Sequence, residues 1–115
     1  MSHSVKTVPH FDREMKRLSK KYVSLKNEYE ELIKELEKNS ELGTHLGNNI
    51  YKVRIGIASK GKGKRGGARV ITFFRTAHET VYLLSIYDKG EKDTISDIEI
   101  RKIIESEIID PELST

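Results

Sequence analysis

A chain of 115 residues, 36% hydrophobic and 34% charged, suffices for one hydrophobic core and not for two. It contains no cysteine, which removes disulfides, thiolate nucleophiles and cysteine-held metals and favours a reducing compartment. No apolar run approaches a membrane span, and residues 1–10 lack the apolar stretch of a secretion signal, so a cytoplasmic protein with no membrane partner is expected.

Val5 to Val8 reads as a short first strand, and Pro9 suits the start of a helix. Phe11, Met15, Leu18 and Tyr22 then recur at helical spacing, with Lys16, Arg17, Lys20 and Lys21 on the other side. Ser24 is the expected N-cap of a second helix whose apolar stripe is Leu25, Tyr29, Leu32, Ile33 and Leu36. Asn39 and Gly43 end it, and Gly43 to Asn49 reads as a loop. The period then changes to two. Tyr51, Val53, Ile55 and Ile57 share one face of a strand, and Lys52 and Arg54 share the other. Ala68 to Arg75 and Val81 to Tyr87 follow as strands, joined by a turn around Ala77 to Thr80, which predicts an antiparallel meander. Ser96-Asp97-Ile98-Glu99 is a capping box opening a last helix with Ile100, Ile103, Ile104 and Ile108 on its apolar stripe. Residues 1–110 are expected to form one domain, and 111–115 a frayed tail. The fold class is α+β: a helical hairpin on one face of a small, mainly antiparallel twisted sheet, a C-terminal helix, and charge on the other sheet face.

The net charge of +3 conceals a strong asymmetry. Between Glu41 and Glu79 there is no acidic residue, yet Lys52, Arg54, Lys60, Lys62, Lys64, Arg65, Arg69 and Arg75 all lie there. A block of one sign in a chain otherwise of the other is a focused field, and an anionic partner such as nucleic acid is the leading expectation. A solvated loop without a partner is the plain alternative. Lys52 and Arg54 leave the same strand face, and Arg69 opens the next strand within reach of them. Three cations on a rigid sheet can surround one phosphate and stabilise charge developing on it. The intervening run from Ser59 to Gly67 holds four glycines and four basic residues, and can follow a phosphodiester backbone closely. It is not a P-loop, since no Gly-Lys-Ser/Thr follows Gly61 at the required spacing.

Several runs of this chain resemble the RelE/HigB-type toxins of type II toxin–antitoxin systems, within the RelE/ParE superfamily. They are Phe11-x-x-Glu14-x-Lys16-x-Leu18, Leu46-Gly47-x-x-Ile50-Tyr51-Lys52-Val53-Arg54, Gly61-Lys62-Gly63-Lys64-Arg65-Gly66-Gly67-Ala68-Arg69-Val70-Ile71 and Leu83-Leu84-Ser85-Ile86-Tyr87-Asp88-Lys89. The resemblance implies a RelE-like fold and a metal-independent endoribonuclease without cofactor, cutting mRNA in the A site of the 70S ribosome. There the 2′-hydroxyl attacks the adjacent phosphate and leaves a cyclic phosphate and a 5′-hydroxyl. By similarity Arg69 contacts the scissile phosphate, and Lys52 and Arg54 take the basic strand positions, one of them helping to deprotonate the 2′-hydroxyl. Lys89 is the further basic residue after the last core strand, with Tyr87 and Lys92 as additional candidates. Lys60, Lys62, Lys64, Arg65 and Lys92 are the implied RNA-binding residues. The family's C-terminal tyrosine has no counterpart, because Ile108 and Ile109 end this helix. A cognate antitoxin protein is the implied partner.

Two readings compete. The ParE branch of the same fold inhibits DNA gyrase and is not a nuclease, and a plain basic RNA-binding module needs no chemistry at all. Among other residue types, His3, His10, His45 and His78 fall outside the basic strand face and read as exposed histidines rather than acid–base catalysts. Glu28, Glu30, Glu31 and Glu35 read as a solvated helix face, and Tyr22, Tyr29 and Tyr51 as packing residues.

Overall fold

The computed structural model describes residues 3–61, 63 and 66–108. Helix α1 (Pro9–Lys21) starts at a proline, whose missing N–H is one of those left unpaired in any first turn. Phe11 and Leu18 are buried, and Met15 and Tyr22 pack at the edge of the core. Helix α2 (Leu25–Lys38) buries Leu25, Leu32 and Leu36. Ser24 does not cap it: its backbone is already helical (φ −79°, ψ −15°) and its hydroxyl makes no cap bond. The connection between the helices is too tight to leave Ser24 the extended conformation an N-cap needs. Its hydroxyl binds Glu28 and Ser59 instead.

The sheet has five strands in the order β1-β5-β4-β3-β2. β3 (Ile50–Ile55), β4 (Ala68–Arg75) and β5 (Thr80–Asp88) form the antiparallel meander. β1 (Ser4–Thr7) joins β5 in parallel, and β2 (Thr44–Gly47) pairs with the first half of β3. The strand β2 corrects the expected loop between Gly43 and Asn49. Its side chains are mostly exposed, so no apolar alternation marks it. Asn48 and Asn49 both take positive φ (52° and 62°), the backbone that a two-residue hairpin turn demands.

One sheet face, carrying Val53, Ile55, Val70 and Ile86, belongs to the core beneath the helical hairpin. The opposite face is divided. Cross-strand partners share a face, so Ile50 with Phe73, Lys52 with Ile71, and Arg54 with Arg69 and Tyr87 all lie there. Helix α3 (Asp97–Glu107) covers the Ile50–Phe73 end, where Ile50 and Phe73 line a cavity of about 240 Å³ with Ile100 and Ile104. The opposite face therefore carries the charge over only part of its length. Ser96 caps α3 as expected, its Oγ accepting the Glu99 N–H at 3.1 Å.

Glu14 has a role that spacing alone does not reveal. β1 ends at Thr7, opposite Leu83, and the β5 edge beyond would be left unpaired. The Glu14 carboxylate accepts the Ile86 N–H at 3.2 Å and the Ser85 hydroxyl at 2.7 Å, and His10 Nε2 lies 3.1 Å from the same oxygen. A side chain from α1 thus completes the strand's pairing. None of the described helices is long and apolar enough to cross a membrane.

Candidate nucleic-acid interface

Lys52 and Arg54 leave β3 on one face, about 7 Å apart by strand rise. Arg54 stands directly opposite Arg69, and Arg69 opposite Tyr87, so the three form one row across β3, β4 and β5. Arg54 is exposed and Lys52 half-buried, whereas Arg69 is only 5% exposed, with one guanidinium nitrogen 3.2 Å from the Ala68 carbonyl oxygen. A cation so placed is poorly screened by water and acts more strongly on a charge that reaches it. Tyr87 is also buried, and its hydroxyl has no hydrogen-bond partner among the described residues.

The segment after β5 adds cations to the same end of the sheet. The Lys92 ammonium lies 5.9 Å from the centre of the Tyr87 ring and 3.2 Å from Glu99 of α3. Lys89 Nζ binds the Asp93 carboxylate at 2.8 Å. Hydrogen bonding and charge from Lys89, with a further contribution from Lys52, hold the Asp93 carboxyl below its usual range. Lys52 and Lys89 therefore both act on the Asp93 carboxylate. Glu91 ties that connection to α1 through Arg17 at 3.1 Å and Lys21 at 3.0 Å. Their hydrogen bonds hold the Glu91 carboxyl low as well.

Lys60 is differently disposed. Its ammonium pairs with Asp88, a carboxylate 1% exposed at the end of β5, and donates to the Gly66 carbonyl at 2.9 Å. The second Asp88 oxygen accepts the Tyr22 hydroxyl at 2.5 Å, and the Gly90 N–H donates to the first at 2.9 Å. Burial by itself would raise the Asp88 carboxyl; the hydrogen bonds from Lys60, Tyr22 and Gly90 outweigh it and hold it at about 2. The Tyr22 ring adds to the charge balance, with Lys21 and Lys60 ammoniums 5.3 and 5.7 Å from its centre. Lys62, Lys64 and Arg65 lie outside the described residues.

The histidines sit elsewhere: His3 against Phe74, His10 beside Glu14, His45 against Tyr51 and His78 in the turn before β5. Sequence reasoning missed Asp88 and the role of Tyr22. The one signal was an acidic residue ending an apolar strand, where a solvated end is the usual explanation.

A row of cations and a tyrosine crosses three strands of a small α+β domain, at the end of a sheet face left free by a C-terminal helix. The chain matches the family model of the RelE toxin of the RelE/RelB toxin–antitoxin system over residues 9–108, and it belongs to that family of toxins. Its fold is shared with the free state of the Escherichia coli toxin RelE in a mutant form, at TM-score 0.57 and 12% identity, covering 81% of this chain and 90% of that one. It is shared also with the toxin–antitoxin complex RelBE2 of Mycobacterium tuberculosis, at TM-score 0.51 and 14% identity, covering 76% and 92%.

Proposed function

We propose that this toxin is a metal-independent endoribonuclease of the cytoplasm, its residues 1–110 forming one domain, that cuts mRNA on the 70S ribosome and is neutralised by a cognate antitoxin. The observation that carries the reading is the row Arg54–Arg69–Tyr87, with Lys52, Lys89 and Lys92 beside it, at the end of the sheet face that α3 leaves free.

The chemistry follows from which groups can give or take a proton. Arginine keeps its proton, so Arg54 and Arg69 hold the scissile phosphate and offset the charge that builds on its oxygens. Lys52, in its neutral form, is the strand residue able to take the proton from the 2′-hydroxyl. The 2′-oxygen then attacks phosphorus and the bond to the 5′-oxygen breaks, leaving a 2′,3′-cyclic phosphate. The departing oxygen needs a proton to become a 5′-hydroxyl, and the Tyr87 hydroxyl, which has no partner among the described residues, is the donor this site offers. Lys89 and Lys92 add charge along the RNA backbone; Lys62, Lys64 and Arg65 are the basic residues of the loop that follows it, while Lys60 is held by Asp88.

The test is a map of RNA 5′ ends after brief induction of the chain, with Arg69→Ala as control. Cuts within translated regions that vanish in the variant are expected. Growth arrest without new RNA ends would move the reading to gyrase inhibition, and binding without cuts would reduce it to an RNA-binding module.

A further inference from the structure

The basic loop between β3 and β4 is closed by contacts that its glycine-rich sequence does not suggest. On the incoming side, Ala58 N–H donates to Glu28 at 2.7 Å, and Ser59 N–H donates to the Ser24 hydroxyl at 2.9 Å. On the outgoing side, Gly67 accepts the Lys89 N–H at 3.0 Å. Lys60 joins the two sides through the Gly66 carbonyl, and Asp88 holds Lys60. Packing leaves this junction little freedom. A Cβ on Gly67 would lie 2.1 Å from the Ile55 carbonyl oxygen, and one on Gly90 3.1 Å from the Lys60 ammonium.

We propose that Asp88 is a positioning residue that holds the two ends of the basic loop, at Lys60 and Gly66, to the corner between the helices at Tyr22 and to the β5–α3 connection, so that RNA reaches the Arg54–Arg69 row past loop ends that are already anchored. The inference rests on the nuclease reading for the nature of its ligand, and on Asp88 geometry for everything else. Asp88 touches neither substrate nor reacting atoms; it acts through Lys60, Gly66 and Gly90. Two residues separate Gly66 from Arg69, so an error at the loop closure is passed directly to the start of β4. A neutral amide at position 88 keeps the shape and removes the charge that holds the ammonium. Loop ends that must then be fixed by the ligand bind that ligand more weakly, because ordering is drawn from binding energy.

The experiment compares wild type, Asp88→Asn and the double variant Asp88→Asn/Lys60→Gln as full chains. Amide hydrogen exchange is followed in peptides spanning 57–67 and in core peptides of β4 and β5. Affinity is measured for an RNA made uncleavable by 2′-O-methylation, and cleavage by single turnover over a range of enzyme concentrations. Asp88→Asn should speed exchange in 57–67 by more than the uniform increase that its lower global stability gives β4 and β5, weaken RNA binding roughly tenfold, as for one or two lost phosphate contacts, and change the saturating rate much less. The double variant, which replaces the ion pair by neutral hydrogen-bonding groups, should recover part of both losses. Exchange in 57–67 that quickens no more than in β4 and β5 would show a general loss of stability alone and overturn the inference, as would unchanged exchange in 57–67 or unchanged RNA affinity. A wild-type chain that neither binds nor cuts RNA overturns the nuclease reading instead, and the exchange data then decide the clamp on their own.

Discussion

Arg69 and Asp88 are both buried charged residues on or beside the same loop, and the tasks proposed for them differ. In the proposed reaction the Arg69 charge acts on the scissile phosphate. Replacing it by alanine should lower the single-turnover rate about 10²- to 10³-fold, the loss typical for one donor to developing charge. RNA affinity should fall by far less. Asp88 has its charge matched within the protein, and its effect appears in stability. Because its carboxyl is lowered from 3.8 to about 2 in the folded chain, folding is favoured wherever the unfolded carboxyl would be ionised. The gain is fully present above pH 4 and is lost as pH falls through about 2; it amounts to about 2 kcal/mol. Urea unfolding of wild type and Asp88→Asn from pH 7 down to 2 should show a gap that closes between pH 4 and 2.

At the scale of elements, boundaries follow local chemistry. Ser96 accepts the Glu99 N–H at the start of α3, and Ser96→Ala should cost about 1 kcal/mol, read as a lowered midpoint of thermal unfolding. The start of β4 depends on a close approach instead. Any side chain at Gly67 meets the Ile55 carbonyl, so Gly67→Ala should cost roughly 1–3 kcal/mol by forcing the backbones apart, measured by urea denaturation. The apolar repeats of α1, α2 and the three meander strands were legible because each buries one face. β2 was not, because an edge strand with exposed side chains leaves no period to read. Ser24 was misleading for a related reason: the residue type is right for a cap, and the backbone conformation, set by the tight hairpin, is not.

For the whole molecule, segregation of charge is the property on which the proposed function rests. The formal charge of +3 is small, yet the cations of β3, β4 and the β5–α3 connection meet at one end of the sheet. RNA affinity should therefore fall steeply with salt, log K changing by about −0.7 per log unit of salt for each phosphate neutralised on a single strand. Removing Lys52 and Arg54 together should flatten that slope. Cleavage should persist in EDTA, since the side chains supply the positive charge; abolition of activity by the chelator would refute the proposed chemistry.

The sequence by itself determined the class of the protein. Period, capping box, glycine-rich basic loop and the acid-free window between Glu41 and Glu79 are local properties, and local properties are written in the order of residues. Lys52, Arg54 and Arg69 were legible as a cluster because strand alternation and hairpin pairing are themselves local rules. Tertiary structure alone decided which charges are neutralised within the fold and which remain at the surface. Lys60 and Asp88 lie 28 positions apart, Tyr22 and Asp88 66, and Glu14 and Ile86 72. No periodicity links such residues; only packing brings them within hydrogen-bond distance, and burial then sets the strength of each pair.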